Sequence, residues 1–141
     1  MLVRLMYASR AAAGLQPEAL QAILRQCKAA NPQHGITGVL CFGEGLFLQV
    51  LEGGRGAVNR LYGHIVADAR HRQVELMLYE EVRERRFAGW SMGHVDLARL
   101  NPSLLLKYSA TATLDPFSIS GSVSMALFDE LVATASVVCP V

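Results

Sequence analysis

Apolar and polar residues alternate from Leu2 to Ser9, with Val3, Leu5 and Tyr7 on one side and Leu2, Arg4, Met6 and Ala8 on the other; this two-residue period predicts a strand. After the small-residue turn Ala11 to Gly14, Pro17 stands where a first helical turn tolerates it, and Leu20, Ile23, Leu24 and Cys27 recur at helical spacing. That helix is expected to stop near Asn31-Pro32. Two apolar runs, Gly35 to Phe42 and Leu46 to Leu51, are separated only by Gly43-Glu44-Gly45, which predicts a hairpin. Val58, Leu61, Tyr62, Ile65 and Val66 predict a second amphipathic helix closing near Asp68, and Val74 to Val82 a fourth strand. Alternation from Trp90 to Val95 predicts a fifth strand with Trp90, Met92 and His94 on one face.

The order βαββαββ predicts an α+β, ferredoxin-like mixed sheet with both helices on one face, and right-handed crossovers are expected to make strands one and three parallel neighbours. Beyond Asp96 the text changes, with Asn101-Pro102 and Asp115-Pro116 as breaks. Ser118 to Ala135 carries Leu127, Phe128, Leu131 and Val132 at helical spacing, so a tail helix is expected to cover the other sheet face. The expected division is a sheet domain over 1–95 and a helical extension over 96–141 packing on it.

Composition narrows the possible functions. A length of 141 residues with 52% hydrophobic and 18% charged positions is that of one globular domain, leaving no room for a second, catalytic one. The net charge of +1 offers no field to concentrate nucleic acid. Cysteines 27, 41 and 139 have neither disulfide nor zinc spacing, and no signal segment precedes them, which points to a reducing cytoplasm. No apolar run approaches the roughly 20 residues of a membrane span. The four histidines lack paired spacing, so no metal is expected.

Candidate chemistry begins with Tyr7 and Gln49. Each shares its predicted face with apolar residues, and a buried carboxamide left without partners costs roughly 1–3 kcal/mol. Alone, the two residues leave open an outward Gln49 and an ordinary core tyrosine. Gly53-Gly54-Arg55-Gly56 suggests a turn rather than a phosphate cradle, since no Lys-Ser or Lys-Thr follows. The charged run Glu80 to Arg86 suggests a solvated hairpin tip.

The wider succession is more specific. Tyr7 ends the first strand, Asn31 precedes Gly35-Ile36-Thr37-Gly38, Phe47-Leu48-Gln49-Val50-Leu51-Glu52-Gly53 follows, and Arg86-Phe87 leads into Trp90-Ser91-Met92. Over about residues 1 to 95 this resembles the BLUF domain, blue-light sensing using flavin. The segment Leu104 to Ser109 is similar to the tail of short stand-alone members. The resemblance implies a photoreceptor without net catalysis, holding FAD, or FMN or riboflavin, noncovalently between the two helices. Ile23 and Ile65 would clamp the ring, Phe47 would pack beneath, Cys27 and Asn31 would line it, and His64, Asp68 and His71 would meet the ribityl and phosphate end. Tyr7 and Gln49 would carry the photochemical switch, and Trp90 and Met92 would pass it on to a downstream signalling protein, the chain itself forming a homo-oligomer.

Two positions depart from the pattern. Where many members have Arg this chain has His64, and a histidine is the weaker, pH-dependent partner for phosphate. Ala30 stands where some have a polar residue. The competing readings are an acylphosphatase-like hydrolase, for which the turn Ser9 to Gly14 is poor in phosphate donors beyond Arg10, and a non-pigmented oligomerising scaffold.

Overall fold

The computed structural model describes residues 1–134, so Cys139 and the last residue of the expected tail helix, Ala135, lie outside the described residues. Its elements run β1 (Leu2–Ala11), α1 (Pro17–Ala30), β2 (Thr37–Gly43), β3 (Leu46–Gly54), α2 (Arg55–Ala67), β4 (His71–Val82), β5 (Gly93–Asp96), α3 (Pro102–Tyr108) and α4 (Gly121–Ala133). The five strands form one sheet in the order β4-β1-β3-β2-β5.

The alternation decides the layers. Val3, Leu5, Tyr7, Leu40, Phe47 and Leu51 pack with Ile23 and Ile65 of the two helices. Their neighbours in sequence, Met6, Ala8, Val39, Cys41, Leu48 and Val50, pack with Leu127, Phe128 and Leu131 of α4. Both faces are covered, the second by the tail helix that the sequence predicted.

Strands β1 and β3 are neighbours but antiparallel, which corrects the expectation of a parallel pair. The crossover through α1 joins β1 to β2, which lie one strand apart, and the hairpin folds β3 back into the gap. Its turn is tight: Gly43 pairs with Leu46, leaving Glu44 and Gly45 at φ 53° and 74°. Two consecutive left-handed residues make the mirror-image turn that matches strand twist, and a glycine at the second position eases it.

The fifth strand begins at Gly93, three residues later than the alternation suggested, and it pairs parallel with β2. Trp90 to Met92 are therefore irregular backbone, and period-two alternation does not apply to them. Trp90 packs on the tail-helix side and Met92 on the side of α1 and α2, which corrects their placement on one face. In the charged run Glu80 to Arg86, Glu80, Glu81, Arg83, Glu84 and Arg86 are exposed as expected, but the run is no hairpin tip, since β4 and β5 lie at opposite edges of the sheet. Arg85 reaches Thr37 Oγ1 at 3.0 Å, and the amides of Arg86 and Phe87 turn inward.

Candidate functional site

Antiparallel register sets Tyr7 directly opposite Gln49. Tyr7 is 1% exposed and Gln49 3%, and the Tyr7 hydroxyl donates to Gln49 Oε1. The same amide donates from Nε2 to Met92 Sδ at 3.3 Å. Burial drives the Tyr7 phenol well above its ordinary pKa, helped by the neighbouring Cys27, Tyr62 and Asp68. It therefore enters neutral, as a donor.

Above this pair, between α1 and α2, lies a cavity of about 220 Å³ lined by Tyr7, Ile23, Cys27, Gln49, Ile65 and His71. Ile23 and Ile65 face it from opposite helices because each holds the inward position of its amphipathic stripe. Cys27 follows Ile23 one turn later. Burial raises its thiol pKa, with Arg70 and a hydrogen bond to Gln49 acting against that rise.

His71 opens β4 and tucks inward. Its ring lies 4.7 Å from that of Phe47, and its Nδ1 is 2.8 Å from the buried Ser9 Oγ. Burial lowers its pKa below 6.5. Phe47 thus supports the cavity through His71. His64 is exposed at the mouth.

Asn31 does not continue α1. It starts a 3-10 turn, is 3% exposed and donates to the Ser91 carbonyl at 3.4 Å, tying the end of α1 to the segment before β5. Trp90 does not line the cavity; it packs on the other face of the sheet, its ring stacked on that of Phe87 at 6.2 Å and 20°.

Sequence reasoning missed Arg70 and Gln26. Arg70 holds both oxygens of Asp68 from Nε at 3.0 Å and Gln26 Oε1 from Nη2 at 2.9 Å, closing the mouth with a cation. Hydrogen bonding from Arg70 lowers the Asp68 pKa. The signal was the Asp-x-Arg spacing after a helix, since Asp68 Oδ1 also accepts from the Arg70 amide in an Asx turn. A larger cleft of about 870 Å³ between β5, the start of α1 and the tail helices contains neither Tyr7 nor Gln49.

Apolar plates on two sides, a hydrogen-bonding floor and a charged mouth suit a flat heteroaromatic ring with a polar chain, and the enclosed volume is nearer to such a ring than to a whole dinucleotide. Among the described residues no group of His, Cys, Asp and Glu could hold a metal ion, and no helix is long and apolar enough to cross a membrane.

The profile of BLUF, sensors of blue-light using FAD, matches residues 2–93. The chain belongs to the BLUF family. Its BLUF domain is 37% identical over 92 residues to the beta subunit of a photoactivated adenylate cyclase from Euglena longa, covering 64% of this chain but 11% of that protein. The chain thus spans about a tenth of the curated relatives it matches. Two solved BLUF structures align over nearly their whole length. BlsA in its photo-activated state has a TM-score of 0.84 at 30% identity, covering 93% of this chain and 94% of that one. The BLUF protein BlrB in its dark state has a TM-score of 0.80 at 30% identity, covering 95% and 96%. BLUF domains bind flavin and act as blue-light sensors, which favours the photoreceptor reading over the hydrolase and scaffold alternatives.

Proposed function

We propose that this chain senses blue light by changing the hydrogen bonds of Gln49, with FAD held noncovalently between α1 and α2. The observation that carries this reading is the Tyr7 hydroxyl donating to Gln49 Oε1 at the floor of the cavity. Ile23 and Ile65 hold the ring, His71 borders it, and Arg70 with His64 meets the phosphates at the mouth. When bound, the flavin supplies the blue absorption and the oxidising power of its excited state.

The rest belongs to the protein. Tyr7 would give an electron and then its hydroxyl proton to the excited ring and take both back, so no net redox product would remain. In the observed orientation both ends of the amide are matched: the carbonyl accepts from a phenol and the amine donates to a thioether. Turned over, Nε2 faces the phenol oxygen, while Oε1 faces a sulfur with no hydrogen to give. The turned amide therefore releases Met92, and the segment before β5 becomes the element that responds.

Residues 1–95 act as the sensor and 96–141 as the part that conveys its state. Output passes by contact to a separate signalling protein, from a homo-oligomer rather than by turnover in this chain. The buried thiol of Cys41 and the unpaired Cys27 suit a reducing cytoplasm. The test is an absorption spectrum of the purified protein before and after blue light. A yellow protein with a small, reversible red shift is expected; a colourless protein that refuses added FAD overturns the reading.

A further inference from the structure

Glu52 is fully buried on the tail-helix face of β3, the face opposite Gln49, and its carboxylate is saturated. Oε2 accepts from Arg4 Nε at 2.9 Å, Arg4 Nη2 at 2.8 Å and the Arg86 amide at 3.0 Å, and Oε1 accepts from the Phe87 amide at 2.8 Å. Arg4, 4% exposed, sits across the strand pair from Glu52 and is braced on its other side by Glu80 at 2.9 Å.

Holding the strands together does not require such a group. Burying a charge pair is expensive, and well-packed apolar residues often serve as well or better. What a carboxylate can do and an apolar side chain cannot is grip two consecutive backbone amides of a segment that has no sheet partner there. That segment is the one leading to the switch. From Arg86 and Phe87 it turns, with the Trp90 amide donating to the Phe87 carbonyl at 3.1 Å, meets β2 through Gly38, and ends at Met92 beside Gln49.

The same two residues touch the tail helix. Arg86 pairs with Asp129 at 2.8 Å, and the Phe87 ring meets that of Phe128 edge-on at 6.4 Å. We propose that Glu52 is a positioning residue that pins residues 86 and 87, so that movement of Met92 is passed through the Phe87–Trp90 ring pair to α4 rather than lost in a sliding segment. This rests on the reading of Tyr7 and Gln49 as the light switch. One end is held, the other is moved, and α4 lies against the held end.

The test uses the full chain loaded with FAD, comparing lit and dark hydrogen exchange resolved by residue. In the unmutated protein, the Arg86 and Phe87 amides should stay slow to exchange in both states, while α4 (Gly121–Ala133) should exchange differently in light. Opening of those two amides by light, or an α4 insensitive to light in a protein that shows the red shift, overturns the proposal without any variant. Glu52→Gln keeps the shape but replaces an acceptor with a donor facing the backbone amides. It should remain yellow and keep the red shift, yet lose the light-dependent difference at α4. If Glu52 only stabilises the fold, the variant melts at a lower temperature and keeps that difference, and the proposal falls. Absence of a red shift in the unmutated protein instead refutes the light-switch reading itself.

Discussion

Tyr7 and Gln49 face each other across two antiparallel strands, and the phenol of one donates to the amide carbonyl of the other where both are almost wholly closed to solvent. In such a place a hydrogen bond has no water to replace it, so a change in either partner must be answered by protein or ligand.

Tyr7→Phe removes the donor and leaves Gln49 Oε1 without its partner, at a cost of about 1–3 kcal/mol in stability. The cavity walls remain, so the protein should still bind flavin while the normal light-induced difference spectrum disappears. An unchanged difference spectrum would remove Tyr7 from the switch.

Gln49→Leu keeps bulk at the cavity floor but removes the group that can turn. The red shift after illumination should vanish. Its persistence in the variant would assign the switch to another residue.

Met92→Leu conserves volume and deletes the sulfur that accepts from Gln49 Nε2 at 3.3 Å. In the proposed switch that bond belongs to the dark arrangement and re-forms during recovery, so its loss weakens the pull back to the dark state. A contribution of about 1 kcal/mol corresponds to roughly fivefold slower dark recovery. Recovery timed by absorbance after a light pulse checks this, and an unchanged or faster rate argues against the Met92 contact.

Arg70→Ala opens the mouth while leaving the apolar plates untouched. Titration should show weaker binding of FAD and FMN and little change for riboflavin, which carries no phosphate. Equal weakening of all three would mean that Arg70 acts by holding Asp68 and Gln26 in place.

Acid should destabilise the fold through His71 and His94, whose pKa values burial lowers from 6.5. In each case the unfolded chain takes up a proton before the folded one does, so stability is complete above pH 6.5 and is lost as pH falls from there toward the folded pKa. Thermal midpoints measured across that range should decline, and His71→Gln should flatten part of the decline. A slope equal to that of the unmutated protein would mean that His71 titrates alike in both states.

The layers were legible because they depend on alternation, which survives in one sequence: Tyr7 with Leu5 and Val3, Leu127 with Phe128 and Leu131. The direction of β3 was misread rather than hidden: the hairpin signal at Gly43-Glu44-Gly45 already reverses β3 against β2, and the crossover through α1 makes β1 parallel to β2, not to β3. Trp90 was misplaced because its segment is irregular, and a period carries no information where no strand exists. Arg70 was missed although its Asp68 partner is two residues away, because its place at the cavity mouth depends on Gln26, which is distant in sequence. Glu52 resembled part of a motif, and nothing local reveals that its partners are two main-chain amides from beyond β4.

The two-residue turn at Glu44 and Gly45 lies at the far end of the hairpin from these groups, yet it counts the residues of β3. One residue added there and taken up by the strand rather than by a longer loop would slip β3 by a single step, turning the carboxamide toward α4 and the apolar neighbours on either side toward the cavity. Colour sensing in this chain therefore depends on the length of an exposed turn that does not itself line the cavity.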